Sequence, residues 1–224
     1  MKSRHSELPD IQRPPPDGTR LPPPGGGEAP FRTPPHTHAV ATLPVAPAAN
    51  TASGESCAQA CTDSLTGLVN RRGMEHVLDR EIARAHWGKT ALSVAILGVD
   101  HFSQLNGAHG QAVGDRVLVR LADTIRRALR DADAVCRYGG GEFAVILPDS
   151  APDGARLVVE RLRISIEKTG HPESFGVLDL RISAGVAELE VGEGRDNLLR
   201  RAERALHAAK RAGRNRVMLA QAAA

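Results

Sequence analysis

The chain has 224 residues, a formal net charge of +3, 41% hydrophobic residues and only 3% aromatic residues. So mild a charge with so few aromatics supplies neither a basic face nor a stacking platform, which argues against a nucleic-acid partner. No apolar run is long enough to span a bilayer, and Met1-Lys-Ser-Arg-His-Ser-Glu lacks the apolar stretch of a signal peptide; a cytoplasmic protein without a membrane partner is expected.

In chain order, residues 1–55 come first and read as a disordered tail. They hold most of the 15 prolines, with Gly25-Gly26-Gly27 among them. Proline fixes φ and removes donors, and the stretch has too few large apolar residues to offset chain entropy. Residues 56–219 read as one domain, and 220–224 as a short frayed end. Three cysteines, Cys57, Cys61 and Cys136, make no disulfide framework. Cys57 and Cys61 stand four apart, with His36 and His38 upstream. That spacing is not a zinc-ribbon pattern, and no metal site is expected from it.

Within the domain, apolar spacing predicts a helix over Asn70–His86, with Met74, Val77, Leu78, Ile82 and Ala85 on one face. Ala91–Val99 is a near-continuous apolar run, expected to be a central strand buried on both faces. Val113–Leu129 reads as a second amphipathic helix. Ala134–Tyr138 and Glu142–Leu147 flank three glycines and predict a hairpin. Ala151–Lys168 reads as a helix with Leu157, Val158, Leu162 and Ile166 on its stripe. Val177–Leu189 reads as one or two strands. Arg195–Ala212 reads as the last helix, ended by Gly213, and Arg216–Leu219 as a short closing strand. Hairpin plus crossovers gives an α/β fold, a mixed sheet flanked by helices.

Five blocks carry a resemblance. Arg137-Tyr138-Gly139-Gly140-Gly141-Glu142-Phe143 is similar to RYGG(D/E)EF, the signature loop of the GGDEF family of diguanylate cyclases. Asp63-Ser-Leu-Thr-Gly-Leu-Val-Asn-Arg-Arg72 resembles DxLTGLxNRR. Val99-Asp100-His101-Phe102 with Asn106, Gly110 and Gly114-Asp115 resembles the DxDxFKxxND…G…GD segment. Ile182–Ala187 resembles the (S)xGVA strand, and Ala202–Val217 the ADxALYxAKxxGRNRV segment. The blocks fall in family order over about Asp63 to Leu219. The resemblance implies a palm-like, nucleotide-cyclase-like fold, bacterial signalling, and a reaction joining two molecules of GTP into cyclic di-GMP.

That reaction relies on positioning and on divalent metal that neutralises developing charge, and hard cations need carboxylate oxygens. In the family these come from the first acid of DxD and the third letter of the signature loop. Here those positions are Gly98 and Gly141. Asp100 and Glu142 remain as the second acid of each pair; Asp100, in the turn past the strand, has the better chance of reaching round. Losing one preorganised charged group costs on the order of 10²–10³ in rate. The expectation is a catalytically inactive domain with no cofactor, Mg2+ being required only if the chain is an active cyclase. In the family an active pair of domains is also brought face to face by a sensor or helical stalk. The lead-in here shows no sustained heptads, and only about Ala52–Thr62 has the makings of a short helix.

Part of the resembled GTP pocket persists. Asn106 and Asp115 match the guanine-contacting residues, and Lys210 and Arg214, four apart, match the phosphate-contacting pair. Asp115 as a helix cap, and Lys210 with Arg214 as a solvated last turn, are the alternatives. Ser103 stands where the family carries lysine. Arg130-Asp131-Ala132-Asp133 matches the family's inhibitory RxxD motif, in which Arg and Asp grip cyclic di-GMP. An arginine fork pairs with guanine O6 and N7 or with phosphate; a local Arg–Asp pair on a surface turn is the alternative. The leading expectation is an effector that binds cyclic di-GMP at Arg130 and Asp133 and passes that state to an unidentified protein partner, with GTP a second candidate ligand. The rivals are a weak or active cyclase using Asp100 and Glu142, and an interaction scaffold without nucleotide.

Overall fold

The computed structural model describes residues 61–169, 171–173 and 176–221. The tail expected over 1–55, Cys57, His36, His38 and most of the short segment before Thr62 lie outside the described residues. The elements are β1 (Val69–Asn70), α1 (Arg71–Gly88), β2 (Leu92–Val99), α2 (Phe102–His109), α3 (Gln111–Ala128), β3 (Ala134–Gly139), β4 (Glu142–Pro148), α4 (Pro152–Thr169), β5 (His171–Glu173), β6 (Gly176–Leu178), β7 (Ile182–Glu188), α5 (Arg195–Arg211) and β8 (Val217–Leu219).

Six strands form one mixed sheet in the order β1-β3-β4-β2-β7-β8. β2 lies at its centre, antiparallel to both β4 and β7, while β1 and β8 add as parallel edges on β3 and β7. All eight residues of β2 are buried, and its alternation divides the core. Ala95, Leu97 and Val99 face Val117, Leu121 and Ile125 of α3 and Val159, Leu162 and Ile166 of α4. Val94 and Ile96 face Met74 and Leu78 of α1 and Leu198 and Leu206 of α5. This is the period of two expected of a strand covered on both faces. Each such buried aliphatic side chain contributes about 1.5–3 kcal/mol relative to exposure.

Two packing details position the site. Gly185 of β7 lets α5 approach closely, since a Cβ there would overlap the backbone of Ala202 and Leu206. At the far end of α5, Gly213 (φ 109°) reverses the chain, and the Arg214 N–H bonds the Ala209 carbonyl at 3.1 Å, a Schellman ending.

Several expectations need correction. The eight-residue α2 was not anticipated: Phe-Ser-Gln-Leu-Asn-Gly-Ala-His has no buried residue and starts at His101 without a side-chain cap, so it has no apolar stripe to read. Phe102 and Leu105 alone lean on the core. Leu157 is exposed rather than on the stripe of α4; Ala155 and Val159 are buried instead, because the register runs 155-159-162-166. The one or two strands expected over Val177–Leu189 are two, β6 and β7, and what was not expected is β5, which pairs with β6 outside the main sheet. Ala220, expected to begin a frayed end, still donates to the Val186 carbonyl at 2.7 Å. Among the described residues no helix is long and apolar enough to cross a membrane.

Candidate functional site

The signature loop is the hairpin between β3 and β4. Arg137 pairs with Phe143 and Gly139 with Glu142, with an irregularity at Tyr138 between them. Gly140 and Gly141 form the turn. Arg137 holds it from inside: Nε donates to the Gly139 carbonyl at 2.7 Å and Nη2 donates to that of Gly140. Asp63 stands 3.8 Å from the same guanidinium and accepts from the Thr66 backbone N–H at 2.9 Å and hydroxyl at 2.7 Å. Burial alone would raise the Asp63 carboxyl, but the two Thr66 hydrogen bonds and the charge of Arg137 outweigh it and hold the carboxyl below its ordinary value. The Asp63-Ser-Leu-Thr block and the signature loop, more than seventy residues apart in sequence, are thus one clasp. Phe143, fully buried, roots the hairpin in the core.

Beside this turn lies an open pocket of about 400 Å³, lined among others by Asp100, Phe102, Gly141, Glu142, Lys210 and Arg214. Gly98 pairs with Glu142 across β2 and β4, and with Ser183 across β2 and β7. The space over Gly98 is filled: a Cβ there would stand 2.9 Å from Lys210 Nζ. That ammonium pairs with Glu142 Oε1 at 3.3 Å. The space at Gly141 is filled too, since a Cβ would stand 2.9–3.2 Å from three carbons of Phe102. Asp100 does not reach round toward this space. Its Oδ1 accepts from the Ser183 hydroxyl at 2.8 Å and its Oδ2 from the Asn215 backbone N–H at 3.0 Å. Of the two remnant acids, one is therefore a buried staple and the other is an ion-pair partner.

A divalent metal fits this donor set poorly. Gly98 and Gly141 offer no oxygen, both Asp100 oxygens are engaged, and Glu142 faces an ammonium. Among the described residues no group of three or more His, Cys, Asp and Glu is placed to hold an ion.

Lys210 and Arg214 do meet at the pocket, though not by sharing a helix face. α5 ends at Arg211, and Arg214 arrives through the left-handed turn at φ 61°. Asn106 and Asp115 lie on α2 and α3, beyond the residues lining this pocket. The Asn106 carboxamide packs against Gly114, where a Cβ would overlap it, and its buried oxygen has no partner. Asp115 does not cap α3, because the N-cap is Gly110 and Asp115 falls in the second turn.

The RxxD segment forms a second, separate cavity of about 580 Å³. α3 ends at Ala128, and the chain turns so that the Asp133 N–H bonds the Arg130 carbonyl at 3.0 Å. Asp133 accepts from the Arg130 backbone N–H at 3.0 Å, from Nε at 3.3 Å and from Nη2 at 3.1 Å. Nη2 also donates to Ser150 Oγ at 3.1 Å. The Asp133 side chain is 1% exposed and that of Arg130 is 61% exposed. Asp133 thus orients the arginine rather than facing outward beside it. Its hydrogen bond and charge raise the guanidinium above the ordinary arginine value. Across the cavity stand Gly154, Val158, Arg161 and Ser165, one face of α4. Reading the sequence missed Arg161 and Ser165. Their spacing was visible, but only the packing of α4 beside the α3–β3 turn brings them opposite Arg130.

A family model described as "Diguanylate cyclase, GGDEF domain" matches residues 60–216, and the chain belongs to that family. The diguanylate cyclase DgcP of Pseudomonas aeruginosa is 40% identical over 162 residues, which is 72% of this chain and 24% of that protein. The response regulator PleD of Caulobacter vibrioides is 38% identical over 162 residues, 71% of this chain and 36% of that protein. The chain thus spans about a quarter to a third of these relatives. The GGDEF domain of DgcB from Caulobacter crescentus, solved in complex with c-di-GMP, is similar at a TM-score of 0.70 and 36% identity, over 73% of this chain and 94% of that one. Diguanylate cyclase SiaD of Pseudomonas aeruginosa, solved with its activator SiaC, gives 0.70 and 36% over 74% of this chain and 64% of that one. The mixed sheet flanked by helices is the palm-like fold of these domains.

Proposed function

We propose that this chain is a cyclic di-GMP effector. It binds the dinucleotide at Arg130 in the cavity beside α4, does not make it from GTP, and passes the bound state to a protein partner. The observation that carries this reading is the pairing of an intact, preorganised Arg130–Asp133–Ser150 array with a pocket whose metal positions, Gly98 and Gly141, are filled by Lys210 and Phe102. A volume of about 580 Å³ suits a ligand of nucleotide size. Arg130 and Arg161 offer planar forks to guanine edges and phosphates. The DgcB domain, itself solved with c-di-GMP, supports the ligand. The SiaD complex with its activator supports regulation through a second protein.

The names of the curated relatives favour a second reading, an active or weak diguanylate cyclase. Chromatography of the protein after incubation with GTP and Mg2+ or Mn2+ separates the two. The effector reading expects GTP to be recovered unchanged, while steady formation of cyclic di-GMP that disappears in Glu142→Ala selects the cyclase.

A further inference from the structure

The outer face of α5 carries a row of cations that nothing in the described domain answers. Leu198, Leu199, Ala202, Ala205, Leu206 and Ala209 form the buried side of this helix. Opposite them Arg200, Arg204, His207 and Arg211 are exposed. Their spacing of i, i+4, i+7 and i+11 sets them in one line, about 16 Å long at roughly 1.5 Å per residue.

The other charged residues of α5 are already engaged. Arg195 pairs with Asp79 at 2.6 Å, and Arg201 pairs with Glu190 at 2.6 Å and Glu193 at 2.8 Å. Lys210 turns away from the row to Glu142, and Glu203 accepts from the Tyr138 hydroxyl. Asp196, the acid of the outer face, sits in the first turn and pairs with Arg195 at 3.4 Å. Within the row, Arg200 donates to the neutral carboxamide of Asn197. The side chains of Arg204, His207 and Arg211 have no hydrogen-bond or ion-pair partner among the described residues. The row also works against the helix that carries it. Like charges at i and i+4, as in Arg200 and Arg204, destabilise a helix. Arg211, in the last turn, complements the negative end of the helix dipole; Arg200 and Arg204, further from that end, gain nothing from it.

We propose that this row is a docking surface for another protein, and that the docking segment is a helix with carboxylates along one face. Charge complementarity selects an acidic occupant. Arginine forks pair bidentately with carboxylates, and carboxylates at i, i+4 and i+7 of a partner helix repeat the spacing of the row. Ala208 and Ala212 lie beside it and leave room for a second helix to approach. An anionic lipid surface fits less well, because this face has no large apolar side chain to enter a bilayer and turns Asp196 toward a flat anionic plane. The surface uses neither Arg130 nor the pocket beside the signature loop, so it stands or falls separately from the effector reading.

The test is fluorescence anisotropy of the full chain with a labelled, alanine-rich helical peptide carrying glutamate at i, i+4, i+7 and i+11. The comparisons are a peptide with the same glutamates spread around the helix, and vesicles of phosphatidylglycerol in phosphatidylcholine. Saturable binding of the striped peptide is expected, weakened by salt and tighter than that of the scrambled one. Arg200→Glu with Arg204→Glu should weaken it by roughly tenfold or more. Arg127→Glu with Lys168→Glu, an equal change of net charge at exposed residues elsewhere, should leave it nearly unchanged. Thermal melting checks that each variant is folded. No saturable binding at low salt and millimolar peptide, equal binding of the two peptides, equal losses in the two folded variants, or binding to the vesicles without binding to the striped peptide overturns the proposal.

Discussion

Asp133 closes on Arg130 from both ends of its residue, accepting from the backbone N–H at 3.0 Å and from the guanidinium at 3.1 and 3.3 Å. The carboxylate is shut away from solvent and the arginine is not. Asp133 therefore fixes the fork and leaves it exposed to the cavity; in the proposed effector it is this fork that meets the ligand. Asp133→Asn keeps the shape but removes the charge and one acceptor. Its expected effect is a fall in cyclic di-GMP affinity of roughly tenfold, the loss of about one charge-assisted hydrogen bond. Calorimetry on the folded variant measures it; an unchanged affinity would show that Arg130 needs no support.

Asp100 is predicted to be a structural residue. Asp100→Ala strands the buried Ser183 hydroxyl and the Asn215 N–H, each worth about 1–3 kcal/mol when left without a partner. A loss of about 2–4 kcal/mol corresponds to a melting temperature lower by roughly 5–15 °C for a domain of this size. The same variant should keep its cyclic di-GMP affinity within about twofold. Little thermal change would mean that the Arg214–Asn215 turn stands without the carboxylate.

Putting acids back should not restore turnover. At Gly141 the first side-chain carbon meets Phe102 ring carbons at 2.9 and 3.0 Å and its Cβ at 3.2 Å, so Gly141→Asp forces a packed aromatic to move, an overpacking cost of about 1–3 kcal/mol. At Gly98 the neighbour is the flexible end of Lys210, and Gly98→Asp should gain an ion pair with it rather than a metal ligand. Melting curves should therefore fall for Gly141→Asp and hold for Gly98→Asp. Product chromatography should find no cyclic di-GMP with either change. Turnover by Gly141→Asp alone would mean that Phe102 yields and a metal still finds its oxygens.

The Asp63 clasp makes an acid-side prediction. Its carboxyl is lowered from the ordinary 3.8 when folded, so its contribution to stability is complete above that value and is lost as pH falls through the lower, folded one. Asp63→Asn should be less stable than the parent at pH 6, and the gap should begin to narrow only as pH falls below about 4. Melting temperatures of the two proteins from pH 6 to pH 3 test this; a gap that stays constant would assign the clasp to shape alone.

Much of this was legible in the residues. The apolar run of β2, the stripes of α1 and α3, and Gly213 as the left-handed residue just past the C-cap of α5 all follow from local periodicity and backbone freedom. The five blocks identified the family because each keeps several residue types in a fixed order. What stayed hidden was tertiary. Sequence shows that Gly98 and Gly141 lack oxygens, but not that Lys210 and Phe102 stand against them. It places Asp100 near the strand end, but not that Ser183 and Asn215 claim both its oxygens. Spacing suggested one helix face for Lys210 and Arg214, whereas a left-handed turn brings the second residue in. α2 carries no stripe, so nothing local announced it. Arg161 and Ser165 look like ordinary surface positions of α4 until the α3–β3 turn is packed beside them.

The central claim is that the domain reads cyclic di-GMP through Arg130. Its most direct test is calorimetric titration of wild type, Arg130→Ala and Arg130→Lys with cyclic di-GMP. Wild type is predicted to bind in the micromolar range or tighter. Arg130→Ala should lose roughly ten- to hundredfold, and Arg130→Lys should fail to recover it, since an ammonium cannot reproduce the fork. No binding by wild type at tens of micromolar, or equal binding by folded Arg130→Ala, would contradict the account.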